Sequence, residues 1–197
     1  MVKPHPTDPA VEAAFKAELV KLIPHLRAFA RTLCGDAAAA DDLAQDAMLK
    51  AWDARGSYQM GTNMKAWTFM ILRNQFYSEK RRSWRQSQLD QEAAERTLVA
   101  VDDPSAPIAL DELRLALAHL PDEQREALIL VGAGGFAYEE AAEICQCAVG
   151  TVKSRVSRAR RALHGILDSG GFTHDGKPAD QAMRPILADA DRMSGAS

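Results

Sequence analysis

Residues 138–163, YEEAAEICQCAVGTVKSRVSRARRAL, join a short segment to a long basic one, and neither can fold without the other. The stretch Tyr138 to Ile144 is about two helical turns, too short to persist alone in water, and its Ala141 and Ala142 are small enough for another helix to approach closely. From Thr151 to Leu163, Val152, Val156, Ala159 and Leu163 recur at the four-three-four spacing of one buried stripe. Lys153, Ser154, Ser157, Arg158 and Arg161 share a neighbouring face. The pattern predicts a helix-turn-helix that docks with one face and leaves the other free to bind. In such turns a glycine often supplies a left-handed residue; here that place is held by Gln146, which leaves the turn geometry open.

The free face is chemically one-sided. Lys153, Arg155, Arg158, Arg160 and Arg161 stand without an acidic residue among them, whereas a merely solvated helix gains from mixed-sign pairs four residues apart. Long cations suit phosphates and guanine edges. The short hydroxyls of Ser154 and Ser157 can bond a base edge without pushing the helix out of a major groove. A DNA-reading element is the expectation.

A formal charge of -3 does not oppose this, because the charges are segregated. Acid gathers at Asp36, Asp41, Asp42 and Asp46 and again at Asp102, Asp103, Asp111 and Glu112; base gathers at Lys80, Arg81, Arg82, Arg85 and along 153–161. The acidic patches imply a second, protein partner. Cys34, Cys145 and Cys147 are an odd number, and neither a secretory signal nor an apolar run of membrane length is visible, so a cytoplasmic protein with reduced thiols and no membrane segment is expected. Cys145 and Cys147 lack a second pair or a histidine at finger spacing, which argues for small side chains in a turn rather than zinc. No phosphate loop, metal cluster or Ser, His and Asp set stands out; no catalysis, cofactor or metal is expected.

Nearly every apolar run has helical period and alternating β-branched runs are missing, so the chain reads as all-α. Helices are predicted over 9–22, 24–34, 39–54, 64–84, 110–120 and 122–131, followed by the helix-turn-helix. Pro24 interrupts a continuous apolar pattern and predicts a kink or helix start, and Pro121 followed by Asp122 and Glu123 predicts a helix N-terminus. The polar, then acidic, then Pro-rich stretch from Arg85 to Pro107 divides two small domains. The boundaries expected are an N-terminal tail 1–10, a helical domain 11–85, a linker 86–107, a helix-turn-helix domain 108–167 and a tail 168–197 that is Gly-rich and flexible.

In the first domain, 39–54 carries Leu43, Ala47 and Ala51 on one face, which leaves Leu49 and Trp52 surplus and ringed by carboxylates. That is a form common at the centre of protein interfaces, although Trp52 could equally pack inward. Over 64–84, Trp67, Phe69, Phe76 and Tyr77 alternate with Arg73 and Asn74, offering rings for unstacked bases and charge for phosphates, or ordinary core for at least two of them. The loop 57–63 supplies Gly61 for close backbone approach and Thr62 and Asn63 as small donors and acceptors, so it could hold a flipped base.

The runs DDLAQDAMLKAW, GTNMKAWTFMILRNQFYSEKRR, LPDEQREALIL and YEEAAEICQCAVGTVKSRVSRARRAL, in this order, resemble the extracytoplasmic-function (ECF) sigma factors of bacterial RNA polymerase. The GTN-x-x-AW-x-F-x-ILRN-x-F run is similar to the EcfG branch, the general stress response sigma factors of alphaproteobacteria. The resemblance implies sigma region 2 and sigma region 4 for the two domains. It further implies that Asp41, Asp42, Gln45, Asp46, Leu49, Lys50 and Trp52 bind the clamp helices of the polymerase largest subunit, core RNA polymerase being a partner. By the same resemblance Tyr58, Gly61, Thr62, Asn63, Arg73, Asn74, Tyr77, Lys80, Arg81 and Arg82 capture the melted −10 promoter element as single strand. Lys153, Ser154, Ser157 and Arg158 then read bases of the −35 duplex, with Thr151, Arg155 and Arg161 on phosphates. A small anti-sigma protein of the NepR kind is implied as regulator. Two other readings are a sigma-like mimic that titrates an anti-sigma protein, which has no need of the basic faces at 80–85 and 153–161, and a stand-alone helix-turn-helix repressor, which leaves the first domain unexplained.

Overall fold

The computed structural model describes residues 9–89, 113 and 115–168. Most of the linker 86–107, the start of the predicted helix 110–120 and nearly all of both tails lie outside the described residues. All regular structure among the described residues is helical: α1 (Pro9–Lys21), α2 (Ile23–Cys34), α3 (Ala37–Asp53), a 3-10 turn (Arg55–Ser57), α4 (Met64–Leu89), a short stretch over 115–118, α5 (Asp122–Gly132), α6 (Tyr138–Cys145) and α7 (Val149–Asp168). They form two compact units, the first built mainly from α1 to α4 and the second from the later helices.

Pro24 falls in the first turn of α2, where its missing N–H costs nothing. Leu22 joins the two helices by donating its N–H to Leu19 O at 3.0 Å while its own carbonyl accepts Leu26 N–H at 2.9 Å. In α3 the buried positions Ala40, Leu43, Ala44, Ala47 and Ala51 make a stripe of small residues, so α4 can lie close against it. Phe15 and Leu19 of α1 complete this core with Tyr58 and Met64, and Leu22, Met48, Trp52, Trp67 and Ile71 pack around them. Phe15 meets Tyr58 at 5.6 Å and Trp67 at 6.1 Å between ring centroids, both edge-on, the arrangement aromatic quadrupoles favour. Phe29 and Phe69 stack at 4.9 Å.

In the second unit α7 packs across both α5 and α6, burying Val152, Val156, Ala159 and Leu163. All four were predicted from spacing. After α5 the chain turns sharply: Gly134 N–H bonds Ile129 O at 2.7 Å and Phe136 N–H bonds Leu130 O at 3.1 Å. A Cβ at Gly134 would lie 2.5 Å from Leu130 O and 2.9 Å from the Phe136 ring, so glycine is required there. The buried Arg125 guanidinium secures the start of α5 by donating to Leu120 O at 3.2 Å and pairing with Asp122 at 2.8 Å.

Candidate nucleic-acid interface

The helix-turn-helix is aimed by its turn. Gln146 adopts φ 53 and ψ 46, the left-handed conformation that glycine usually provides. Gln146 N–H donates to Glu143 O and Cys147 N–H to Ala142 O at 3.1 Å, which closes a Schellman motif and satisfies the last carbonyls of α6. The missing glycine therefore leaves the turn in its usual geometry, at the steric cost of a side chain in a left-handed backbone. At the other end Glu140 reaches back to accept Ala137 N–H at 2.9 Å, capping α6.

Along α7, Lys153, Ser154, Ser157, Arg158 and Arg161 are exposed opposite the buried stripe. Their positions are partly organised in advance. Ser154 Oγ donates to Thr151 O at 2.9 Å and accepts from Arg158 Nη2 at 3.2 Å, while Lys153 Nζ lies 5.6 Å from the Tyr138 ring centroid. Thr151 is half-buried. Arg155, expected on a phosphate, points elsewhere: its side chain is 14% exposed, pairs with Glu123 of α5 and donates to Cys147 Sγ at 3.7 Å. Sequence reasoning could not see this, because Glu123 is 32 residues away.

The first unit carries a different surface. Residues 58–63 form a tight loop hung on the aromatic core, with Tyr58 only 9% exposed and its hydroxyl donating to Thr62 O at 2.7 Å. Thr62 Oγ1 in turn donates to Gln59 O at 2.7 Å, and Gly61 takes φ 87 at the exposed tip. Asn63 Oδ1 accepts Ala66 N–H at 3.0 Å, the N-cap of α4. Tyr58 and Asn63 thus shape the loop from within, a role the sequence did not predict. Beyond it, Arg73 lies 4.6 Å over the Tyr77 ring, Asn74 is exposed, and Lys80, Arg81 and Arg82 stand in solvent. Phe69 is buried against Phe29, Trp67 packs on the Phe15 and Tyr58 rings, and Phe76 meets Tyr77 edge-on at 5.2 Å.

On α3, Asp42, Gln45, Asp46, Leu49 and Asp53 are exposed and recur at helical spacing, with Leu49 left 56% exposed at their centre. Asp53 completes this stripe, about one turn beyond Leu49 and past the carboxylates read from the sequence. Trp52 turns away from it, packing 6.2 Å from Phe15 beneath the Arg55 guanidinium. Lys50 bonds Gln75 of α4, and Asp41 is held by Arg27 of α2 in a two-pronged pair, 2.9 Å from Nε. The hydrogen bond from Arg27 is the main cause holding the Asp41 carboxyl below its ordinary value.

Two family models match, "Sigma-70 region 2" over residues 19–86 and "Sigma-70, region 4" over 110–163. The chain is 44% identical over 174 residues to the ECF RNA polymerase sigma factor EcfG of Rhodopseudomonas palustris, covering 88% of this chain and 95% of that one. The chain belongs to the ECF sigma factors. The RNA polymerase sigma-H factor of Pseudomonas aeruginosa is 30% identical to this sigma factor, over 79% of this chain and 78% of that one. Among solved structures, the sigma factor RpoE of Bartonella quintana, in complex with the anti-sigma factor NepR, matches at a TM-score of 0.72 and 45% identity, covering 80% of this chain and 98% of that one. The region 2 match runs from the end of α1 through α4 and the region 4 match falls on the helix-turn-helix unit of this sigma factor, whose activity is to direct RNA polymerase to promoters. Among the described residues no helix is long and apolar enough to cross a membrane.

Proposed function

We propose that this sigma factor divides promoter recognition between two unlike surfaces while holding the polymerase by a third. The exposed side of α7 reads the −35 duplex with Lys153, Ser154, Ser157 and Arg158, and Arg161 neutralises a phosphate; Arg155 supports the helix through Glu123 instead. The loop 58–63 holds an unpaired −10 base. Gly61 and Thr62 stand at its exposed tip, Tyr58 and Asn63 set its shape, and Arg73, Asn74, Tyr77 and the 80–82 cations take the strand onward along α4. The carboxylate-ringed Leu49 of α3 is the centre of the contact with the clamp helices of the polymerase largest subunit, with Asp42, Gln45, Asp46 and Asp53 at its rim.

The observation that carries this reading is the segregation on α7, where four apolar residues are buried and the exposed charges Lys153, Arg158 and Arg161 are all positive. Binding energy at the −35 duplex and at captured bases offsets the cost of unstacking, a few kcal/mol per flipped base, on the order of what stacking in a pocket returns. Similarity to EcfG and to a NepR-bound relative supports a role in the general stress response and control by a small anti-sigma protein. Run-off transcription with purified core polymerase on a promoter panel tests the whole. Transcription that requires this chain and tracks both promoter elements is expected, and failure to bind core overturns the reading. Adding a NepR-type anti-sigma protein should abolish transcription; undiminished transcription overturns the EcfG assignment.

A further inference from the structure

Helix α4 runs well past the last residue that it buries. Among its described side chains Leu72 is the final buried one, yet the helix continues to Leu89, and Lys80 to Gln86 are all exposed. Such a projecting basic stretch needs no aromatic residue for its own stability. Trp84 is nevertheless 64% exposed, more than any other large exposed hydrophobic among the described residues. An indole held in water on a rigid helix is a large unused apolar surface.

Its position is the informative part. At about 100° per residue, Arg73, Tyr77, Lys80 and Trp84 fall within roughly 60° of one another, so one face of α4 reads cation, aromatic, cation, aromatic. The first pair is in contact at 4.6 Å. The one carboxylate of α4, Glu79, lies around the other side, bonded to Gln75. The flanking Arg81, Arg82 and Arg85 leave the end of the helix strongly positive, which suits a polyanion carrying flat apolar bases better than a protein surface.

We infer that Trp84 extends the −10 surface and stacks on an unpaired base of the promoter strand. Seven residues separate it from Tyr77, about 10 Å along the helix, or roughly three nucleotides at a stacked spacing of about 3.4 Å. The base at Trp84 is therefore a separate one, reached after the strand has passed the loop 58–63 and Tyr77. This inference rests on the −10 reading above.

The test uses full-length Trp84→Ala and Trp84→Phe chains assembled with core polymerase. Equilibrium binding is measured to a promoter template with a pre-opened −10 region, with an abasic site scanned through its unpaired strand. Trp84→Ala should weaken binding about tenfold and Trp84→Phe should restore most of it. At one abasic position the wild type should fall to the level of Trp84→Ala, and the variant should fall no further. Wild-type affinity in Trp84→Ala, or no abasic position that removes the difference, overturns the inference. So does a loss confined to assembly with core or to capture by the anti-sigma protein, which would make Trp84 a protein contact. An Arg73→Ala, Asn74→Ala chain separates the two levels. If it binds the pre-opened template normally, the −10 reading itself fails; if it is weakened while Trp84→Ala is not, only the Trp84 inference fails.

Discussion

The two basic helices α4 and α7 achieve positive surfaces by opposite means. Helix α7 is packed along most of its length, to Leu163 at 1% exposed, and its outward Arg158 is held by Ser154, which is itself bonded to Thr151 O. Helix α4 is packed only through its first half; it follows a loop pinned by Tyr58, starts at the Asn63 cap, and projects into solvent at its far end. Under the proposed function the difference follows from the ligands. A duplex presents base edges at fixed positions, so its reader must inherit rigidity from a core; an unpaired strand adapts, so its binder needs rings, charge and one rigid pocket.

The largest expected effect comes from removing that rigidity. Leu163→Ala should destabilise the second unit by about 3 kcal/mol, seen as faster amide exchange across 122–168, and abolish −35 binding while leaving capture of pre-opened −10 DNA intact. Loss of both would show that the surfaces are not independent. Arg158→Ala should next cost roughly 1 to 3 kcal/mol of discrimination between −35 sequences, measured by competition on variant duplexes. Arg155→Ala should lower stability and weaken all sequences alike, because its partners are Glu123 and Cys147. Tyr58→Phe removes the hydroxyl bond to Thr62 O. It should cost about 1 kcal/mol and weaken −10 capture but not −35 binding, by titration on the two DNA types. Gln146→Gly relieves a left-handed backbone and should stabilise the second unit by about 1 kcal/mol with −35 preference unchanged, by denaturant unfolding.

The smallest effect is one of pH. Asp41 is held below its ordinary value of 3.8 chiefly by the Arg27 hydrogen bond. The unfolded chain therefore takes up this proton first, and the pair's contribution is present above that value and lost as pH falls through the lower folded one. Thermal melts from about pH 5 downward should show this slope in the wild type and a shallower one in Asp41→Asn.

Much of the architecture was legible in the order of residues. Burial on a helix repeats every three to four positions, so Val152, Val156, Ala159 and Leu163 could be assigned to the core from spacing alone, as could the small stripe of α3 and the helix start at Pro24. Helix ends were less legible. The predicted 64–84 extends to Leu89 as α4, and 39–54 shifts to Ala37–Asp53, because polar residues mark a boundary only when a cap or partner requires it.

The sequence alone determined the helical class, the two-unit division and the placing of cations on one side of α7, since these depend on local period and composition. Tertiary structure alone decided which polar and aromatic side chains remain free. Trp52 turns inward against Phe15, Arg155 is taken by Glu123, Asn63 caps α4, and Trp84 stays in water. The reason is physical: a side chain's availability depends on partners that folding brings from distant positions, and no local pattern records them.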